Sequence, residues 1–271
     1  MINVKTELGI LSVYKTIDGE ANLWHQGNWS VFVRTAGCTV GCHWCDTKYS
    51  WSAKGGARFL PPELVEVVKH VGGGIHKVTL TGGEPLEQDW VGLYLFIKLL
   101  IEEDYLITVE TAGTQDTIQF RNGLEDMLLF RPPFGMLTFV VDWKLPSSKF
   151  KGNMDLQHFS HLQHGDVVKF VIDTTEDFNE ACKVARLLYD KRTFGARMYF
   201  SPAHGMMTPV RLFRMMIVAG MPNIGVGINL QMHKYIWPID VRAEENYGVD
   251  FTKRTLGREE YLRRIREREG A

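Results

Sequence analysis

The sequence predicts an α/β protein of parallel strands with crossover helices. Three observations lead there. Short β-branched runs alternate with segments of helical periodicity. No internal repeat, low-complexity segment or Pro/Ser-rich linker interrupts that alternation. Nearly every cluster of Gly, Cys, Pro and charge directly follows a predicted strand.

Strands are predicted at residues 30–35, 77–81, 107–111, 137–143, 167–172, 197–200 and 225–230. Helices fall between them. Pro61-Pro62-Glu63 opens the first, with Leu64, Val67, Val68 and Val71 on one face. Proline suits the first turn, where its missing N–H is no loss. Residues 90–103 form a second, and 177–189 a third, with Cys182, Ala185, Leu188 and Tyr189 at helical spacing. Thr208-Pro209 begins a fourth that reaches about Ala219, before Gly220. Strand–helix alternation implies a parallel sheet, either open and doubly wound or a full or partial barrel. A parallel sheet sends its C-terminal strand ends to one rim. The loops at 37–47, 82–85, 112–114, 144–148, 201–205 and 231–234 are therefore expected to converge on a single site.

Composition narrows the class. The chain has 271 residues, 45% apolar and 23% charged, with a net charge of -1. That is a globular composition with room for a sizeable core, and it supplies no basic field for nucleic acid or an anionic membrane. The longest apolar stretch, residues 91–101, is interrupted by Lys98 and is too short to span a bilayer. Residues 1–8 show no secretory apolar region. A cytoplasmic location is expected, where thiols stay reduced. Residues 1–243 are read as one domain. Residues 244–271 are read as a charged, helical extension, exposed or a dimer arm, with Glu259/Arg263 and Glu260/Arg264 at i,i+4 and Tyr261, Leu262 and Ile265 as a narrow contact stripe.

Three of four cysteines fall within eight residues, as Cys38-Thr-Val-Gly-Cys42-His-Trp-Cys45. This spacing can curl three thiolates towards one centre. A zinc knuckle and an iron–sulfur cluster both fit three thiolates with one position left over. Cys182, on a predicted helix with apolar neighbours, reads as a core residue. His158, His161 and His164 read as a solvated helix end rather than a metal site.

The cysteine loop follows a strand and has Trp44 before its last cysteine, and Thr81-Gly82-Gly83-Glu84-Pro85 follows the next strand. In this the sequence resembles the radical S-adenosylmethionine (SAM) superfamily. The resemblance implies a partial, modified (β/α) barrel and a 4Fe–4S cluster on Cys38, Cys42 and Cys45. It also implies SAM held by Trp44, Cys45, Asp46 and Gly83. Further motifs are Thr16-Ile17-Asp18-Gly19-Glu20, Arg34, Cys45-Asp46-Thr47, Val109-Glu110-Thr111, Asp142-Trp143-Lys144, Lys169-Phe170-Val171-Ile172 and Gln231-Met232-His233-Lys234. Together, over roughly residues 13–237, they resemble the 7-carboxy-7-deazaguanine synthase family.

That family converts 6-carboxy-5,6,7,8-tetrahydropterin to 7-carboxy-7-deazaguanine with loss of ammonia, using SAM and Mg2+. The resemblance implies Ile17, Asp18, Gly19, Arg34 and Thr81 at the pterin, and Thr47 at Mg2+. It implies Asp142, Trp143 and Lys144 as a further SAM segment. The family usually has Gln where this chain has Asp18. A homodimer and an electron donor such as flavodoxin are also implied. The nearest alternatives are a glycyl-radical activase with the same cysteine spacing and a non-catalytic zinc-binding interaction protein.

Overall fold

The computed structural model describes residues 6–150, 152, 154–191, 193–237, 247–252 and 258–269. The expected boundary at 243/244 lies outside the described residues.

A single ten-stranded sheet organises the chain. Its parallel part runs from β2 (Trp29–Thr35) through β4 (Lys77–Gly82), β5 (Leu106–Thr111), β6 (Leu137–Trp143), β7 (Val167–Ile172) and β8 (Arg197–Pro202) to β9 (Gly227–Ile228). On the other side of β2 lies β1 (Leu8–Ile17), antiparallel to it. β1 also pairs antiparallel with β3 (Ala57–Phe59) and β10 (Gly248–Asp250). The sheet is a partial (β/α) barrel, with β9 and β10 at its two ends.

Crossover helices cover its outer face. They are α1 (Pro61–Gly72), α2 (Trp90–Glu102), α3 (Thr117–Leu128), the short α4 (Gln157–Ser160), α5 (Thr175–Tyr189) and α6 (Pro209–Val218). The caps follow the sequence. The Glu63 carboxylate reaches back to the Leu60 N–H at 2.9 Å, and Gly73 ends α1 at φ 56°. Thr174 and Asp177 cap α5 reciprocally. The predicted stripe Leu64, Val67, Val68 and Val71 is buried against β1 and β2.

Alternation along the strands sends a polar set inward. Arg34 stands beside Thr81 across β2 and β4, and Asp142 beside Lys169 across β6 and β7. The segment between β1 and β2 folds under the barrel. The Trp24 indole donates to the Gly135 carbonyl at 3.1 Å, and the Asp18 carboxylate is buried against Lys77 and accepts from Thr79 at 2.6 Å.

α7 (His233–Ile236) follows β9, and α8 (Arg258–Glu269) completes the described chain. The expected stripe of Tyr261, Leu262 and Ile265 makes contact, and the expectation of an exposed arm is corrected. Leu262 and Ile265 are buried in the main core, Tyr261 packs on His70, and Arg258 pairs with Glu63. Two apolar side chains in one stripe suffice to seat a charged helix when its outer face carries the Glu260, Arg263 and Arg264 pairs.

Candidate active site

The loops after β2 and β4 are built against each other through glycine. The Gly83 N–H donates to the Thr35 carbonyl at 3.0 Å, and the Glu84 N–H to the Gly37 carbonyl at 2.8 Å. A Cβ on Gly83 would stand 2.0 Å from the Gly37 oxygen, so only glycine permits this approach. Glu84 is fully buried and accepts from the Leu86 N–H, the Thr111 hydroxyl and the Ala112 N–H at 3.0, 2.6 and 2.6 Å. It thereby joins the loops after β4 and β5.

Above this joint lies a cleft of about 630 Å3. Cys38, Cys42 and Cys45 line it as free thiols, backed by a small apolar cluster of Val40, Ala112 and Phe150. Burial pushes the Cys38 and Cys42 thiols up. Thiolates at such positions need a cationic partner, which a bound metal supplies. A cubane takes each of three such thiolates on a different iron, and these three are free and line one cleft. The donor set therefore fits an iron–sulfur cluster.

A charged wall runs along the strands. Lys169 sits 3.1 Å from Glu20 and 3.2 Å from Asp142, and Lys144 sits 2.8 Å from Asp142. Burial works against the Lys169 ammonium, but Asp142, Glu20 and Glu110 overcome it and hold the lysine well above its usual range. Burial likewise opposes the Asp142 carboxylate, and Lys144 and Lys169 overcome it. Thr81 donates to Glu110 at 2.8 Å, and burial pushes the Glu110 carboxyl up. Arg34 donates to the Tyr14 hydroxyl at 2.6 Å and lies over the Tyr14 and Tyr49 rings.

Most of the residues singled out in the sequence meet here. Ile17, Gly19, Arg34 and Thr81 line the cleft, as do Trp44, Asp46, Thr47, Gly83, Asp142 and Lys144. Two do not. Asp18 turns away to Lys77 and Thr79 beneath the barrel, and Trp143 is buried against Phe159. The Thr47 hydroxyl lies 3.5 Å from the Cys45 sulfur. Glu20, Glu110 and Lys169 stand within the motifs that carry the resemblance but were given no site role, and all three line the cleft. For Glu110 and Lys169 the signal was present: each is a lone charge inside a buried strand. A second, more open concavity between Arg58 and Arg258 is a charged surface groove that shares no lining residue with the cleft.

Comparison with known proteins gives a consistent result. Residues 32–132 match the model of the Radical SAM superfamily. A 7-carboxy-7-deazaguanine synthase of Clostridium acetobutylicum is 30% identical over 233 residues, covering 84% of this chain and 95% of the relative. One from Koribacter versatilis is 29% identical over 247 residues, 86% and 99% of the two chains. One from Thermoplasma acidophilum is 31% identical over 232 residues, 84% and 96%.

Proposed function

The chain belongs to the 7-carboxy-7-deazaguanine synthase family, and we propose that its cleft converts 6-carboxy-5,6,7,8-tetrahydropterin to 7-carboxy-7-deazaguanine with loss of ammonia. It is a radical SAM enzyme. The carrying observation is that one cleft is lined by both the three thiols and the Arg34 guanidinium. The thiols suit a cluster, and the guanidinium suits a substrate carboxylate.

When bound on Cys38, Cys42 and Cys45, the 4Fe–4S cluster supplies, with SAM, the radical that removes hydrogen from the pterin. The chain's own residues position and enclose. Arg34 receives the substrate carboxylate bidentately, its plane fixed by the Tyr14 hydroxyl and flanked by the Tyr14 and Tyr49 rings. Thr81 and the Glu110 carboxyl it holds offer hydrogen-bonding groups to the pterin edge. Ile17 and Gly19 shape the same end, with Asp18 bracing them from below through Lys77. Trp44, Asp46, Gly83, Asp142 and Lys144 form the SAM end. Thr47 would hold Mg2+, completed by substrate oxygens and water, as Mg2+ prefers few protein ligands. Phe32, Trp51 and Trp237 on the cleft walls exclude water from the reacting centre.

A homodimer, a flavodoxin-type reductant, cytoplasmic location and a place in queuosine-type deazapurine synthesis complete this reading. The outward side of α6, where Val210, Phe213 and Ile217 are exposed, offers an apolar surface for a second copy. Among the described residues no helix is long and apolar enough to cross a membrane.

The test is an anaerobic assay of cluster-loaded protein with SAM, a reductant and the carboxypterin. Turnover to the deazapurine with release of ammonia is expected. Arg34→Met should lower kcat/KM by about 100-fold or more, because a buried carboxylate left unpaired costs about 3–5 kcal/mol. Iron content should stay unchanged. Equal affinity of the parent for a pterin lacking the carboxylate would overturn the reading.

A further inference from the structure

The two ends of the cleft are joined by one unbroken chain of charge pairs. At one end the Glu20 carboxylate accepts from Gln231 at 3.0 Å and from Asn229, beside Ile17 and Gly19. At the other, Asp142 holds Lys144, whose ammonium lies 5.6 Å from the centre of the Trp44 ring in the cysteine loop. Lys169 stands between them. Its ammonium divides its ion pairing between Glu20 and Asp142, and its side chain is only 10% exposed. Among the described residues it is the only cation paired with Glu20.

We propose that Lys169 is a positioning residue that couples the pterin end of the cleft to the SAM end, so that each ligand tightens the binding of the other. The inference rests on the assignment of the two ends made above. Its physical basis is competition for shared donors. A pterin edge offers N–H groups, and those directed at Glu20 weaken its draw on Lys169. The ammonium then leans towards Asp142. Asp142 in turn draws less on Lys144, freeing that ammonium for an anionic ligand group beside Trp44. Burial keeps each of these exchanges strong, because little water is present to screen them. The reverse influence, from SAM to pterin, follows by linkage and has the same size. A lysine that merely neutralised buried acids would affect both ligands separately and would create no dependence of one on the other.

The experiment is anaerobic calorimetry on cluster-loaded, unreduced protein, which binds without turning over. The SAM Kd is measured with and without saturating carboxypterin. In the parent, carboxypterin should tighten SAM by about five-fold or more. In Lys169→Met the ratio should fall to near one, and Lys169→Arg should keep most of it. Glu20→Gln, which cuts the chain one joint away, should also lose it, and covers the case of a poorly folded Lys169→Met. A parent ratio of one, or a parent-like ratio in folded Lys169→Met, overturns the proposal. Absence of any carboxypterin binding to the parent would instead overturn the substrate assignment. Hydrogen exchange then decides the coupling without ligand. Lys169→Met should raise exchange both at residues 19–22 and 229–231 and at residues 142–145. A rise confined to one side overturns the inference.

Discussion

Glu84 and Thr111, 27 positions apart, share a 2.6 Å hydrogen bond that ties the loop after β4 to the loop after β5. Every oxygen of this buried carboxylate is used on backbone or hydroxyl donors of the rim. Glu84→Ala orphans all three donors, each worth about 1–3 kcal/mol when left unsatisfied in the interior. The expected outcome is a loss of at least about 3 kcal/mol in anaerobic urea denaturation. A change below about 1 kcal/mol would contradict this role.

The glycine joint between the two loops makes a contrast within the same site. Gly83→Ala would force a Cβ to 2.0 Å from the Gly37 oxygen, against backbone that cannot yield. Gly41 has φ +63° and open space around it, so Gly41→Ala meets only backbone strain. We expect Gly83→Ala to cost upwards of about 2 kcal/mol and to lower iron retention. Gly41→Ala should cost about 1–2 kcal/mol. Melting curves and iron analysis on both variants check the order.

Cysteine variants divide by location. Alanine at Cys38, Cys42 or Cys45 should each remove the brown colour and the content of about four irons per chain. Cys182 is buried on α5 in the main core, so Cys182→Ser should keep the iron and lose only some stability. Loss of iron in the serine variant would disprove the three-ligand cluster.

Glu110 makes stability depend on pH. Burial raises its carboxyl above the unfolded value, so the folded chain binds this proton more tightly than the unfolded one. The contribution is fully present below about pH 4, where unfolded glutamate is protonated, and is lost as pH rises through the folded value. Glu110→Gln removes the titration. Denaturation midpoints of the variant should fall less than the parent's as the pH is raised from 5 to about 8. A parent and variant with parallel profiles would show that Glu110 does not carry the effect.

The C-terminal helix offers a plain packing test. Ile265 is buried against α1 and the core, so Ile265→Ala should cost about 2–4 kcal/mol. Glu260→Gln, on the exposed face, should lower the midpoint only slightly, because surface ion pairs contribute little. An unaffected Ile265→Ala would return α8 to the status of a loose arm.

What the sequence revealed follows from the range of the forces involved. The parallel strands at 137–143 and 167–172 appear as predicted, because continuous β-branched runs bounded by turns are a local signal. Leu8–Ile17 went unread as a strand. It is buried on both faces and shows no alternation, and its antiparallel partners lie at 29–35, 57–59 and 248–250. α3 also escaped, since only Phe120 and Leu124 mark its apolar side and Gly123 interrupts it. The cysteine loop was legible from spacing as a metal-binding loop, while its reading as a cluster loop came from the family resemblance. The Glu20–Lys169–Asp142 chain was not, because Glu20 lies 149 positions from Lys169 and Lys169 27 from Asp142, and they meet only through the sheet order. Asp18 shows the same limit. Its motif points to the cleft, while Lys77 draws its side chain below.

The pairing of β10 with β1, and of α8 with α1, also sets a schedule for synthesis. On the ribosome the strand that leads into the cysteine loop emerges early, yet the cover over its neighbour comes from residues 248–252 and 258–267. Until those residues are made, Phe59 lacks its ring contact with Phe251 and Glu63 lacks Arg258. The cysteine-bearing half of the barrel thus matures only after the whole parallel sheet has been translated. A chain stalled before residue 248 would present an uncovered apolar edge to chaperones, and iron delivery would meet a barrel still open on that side.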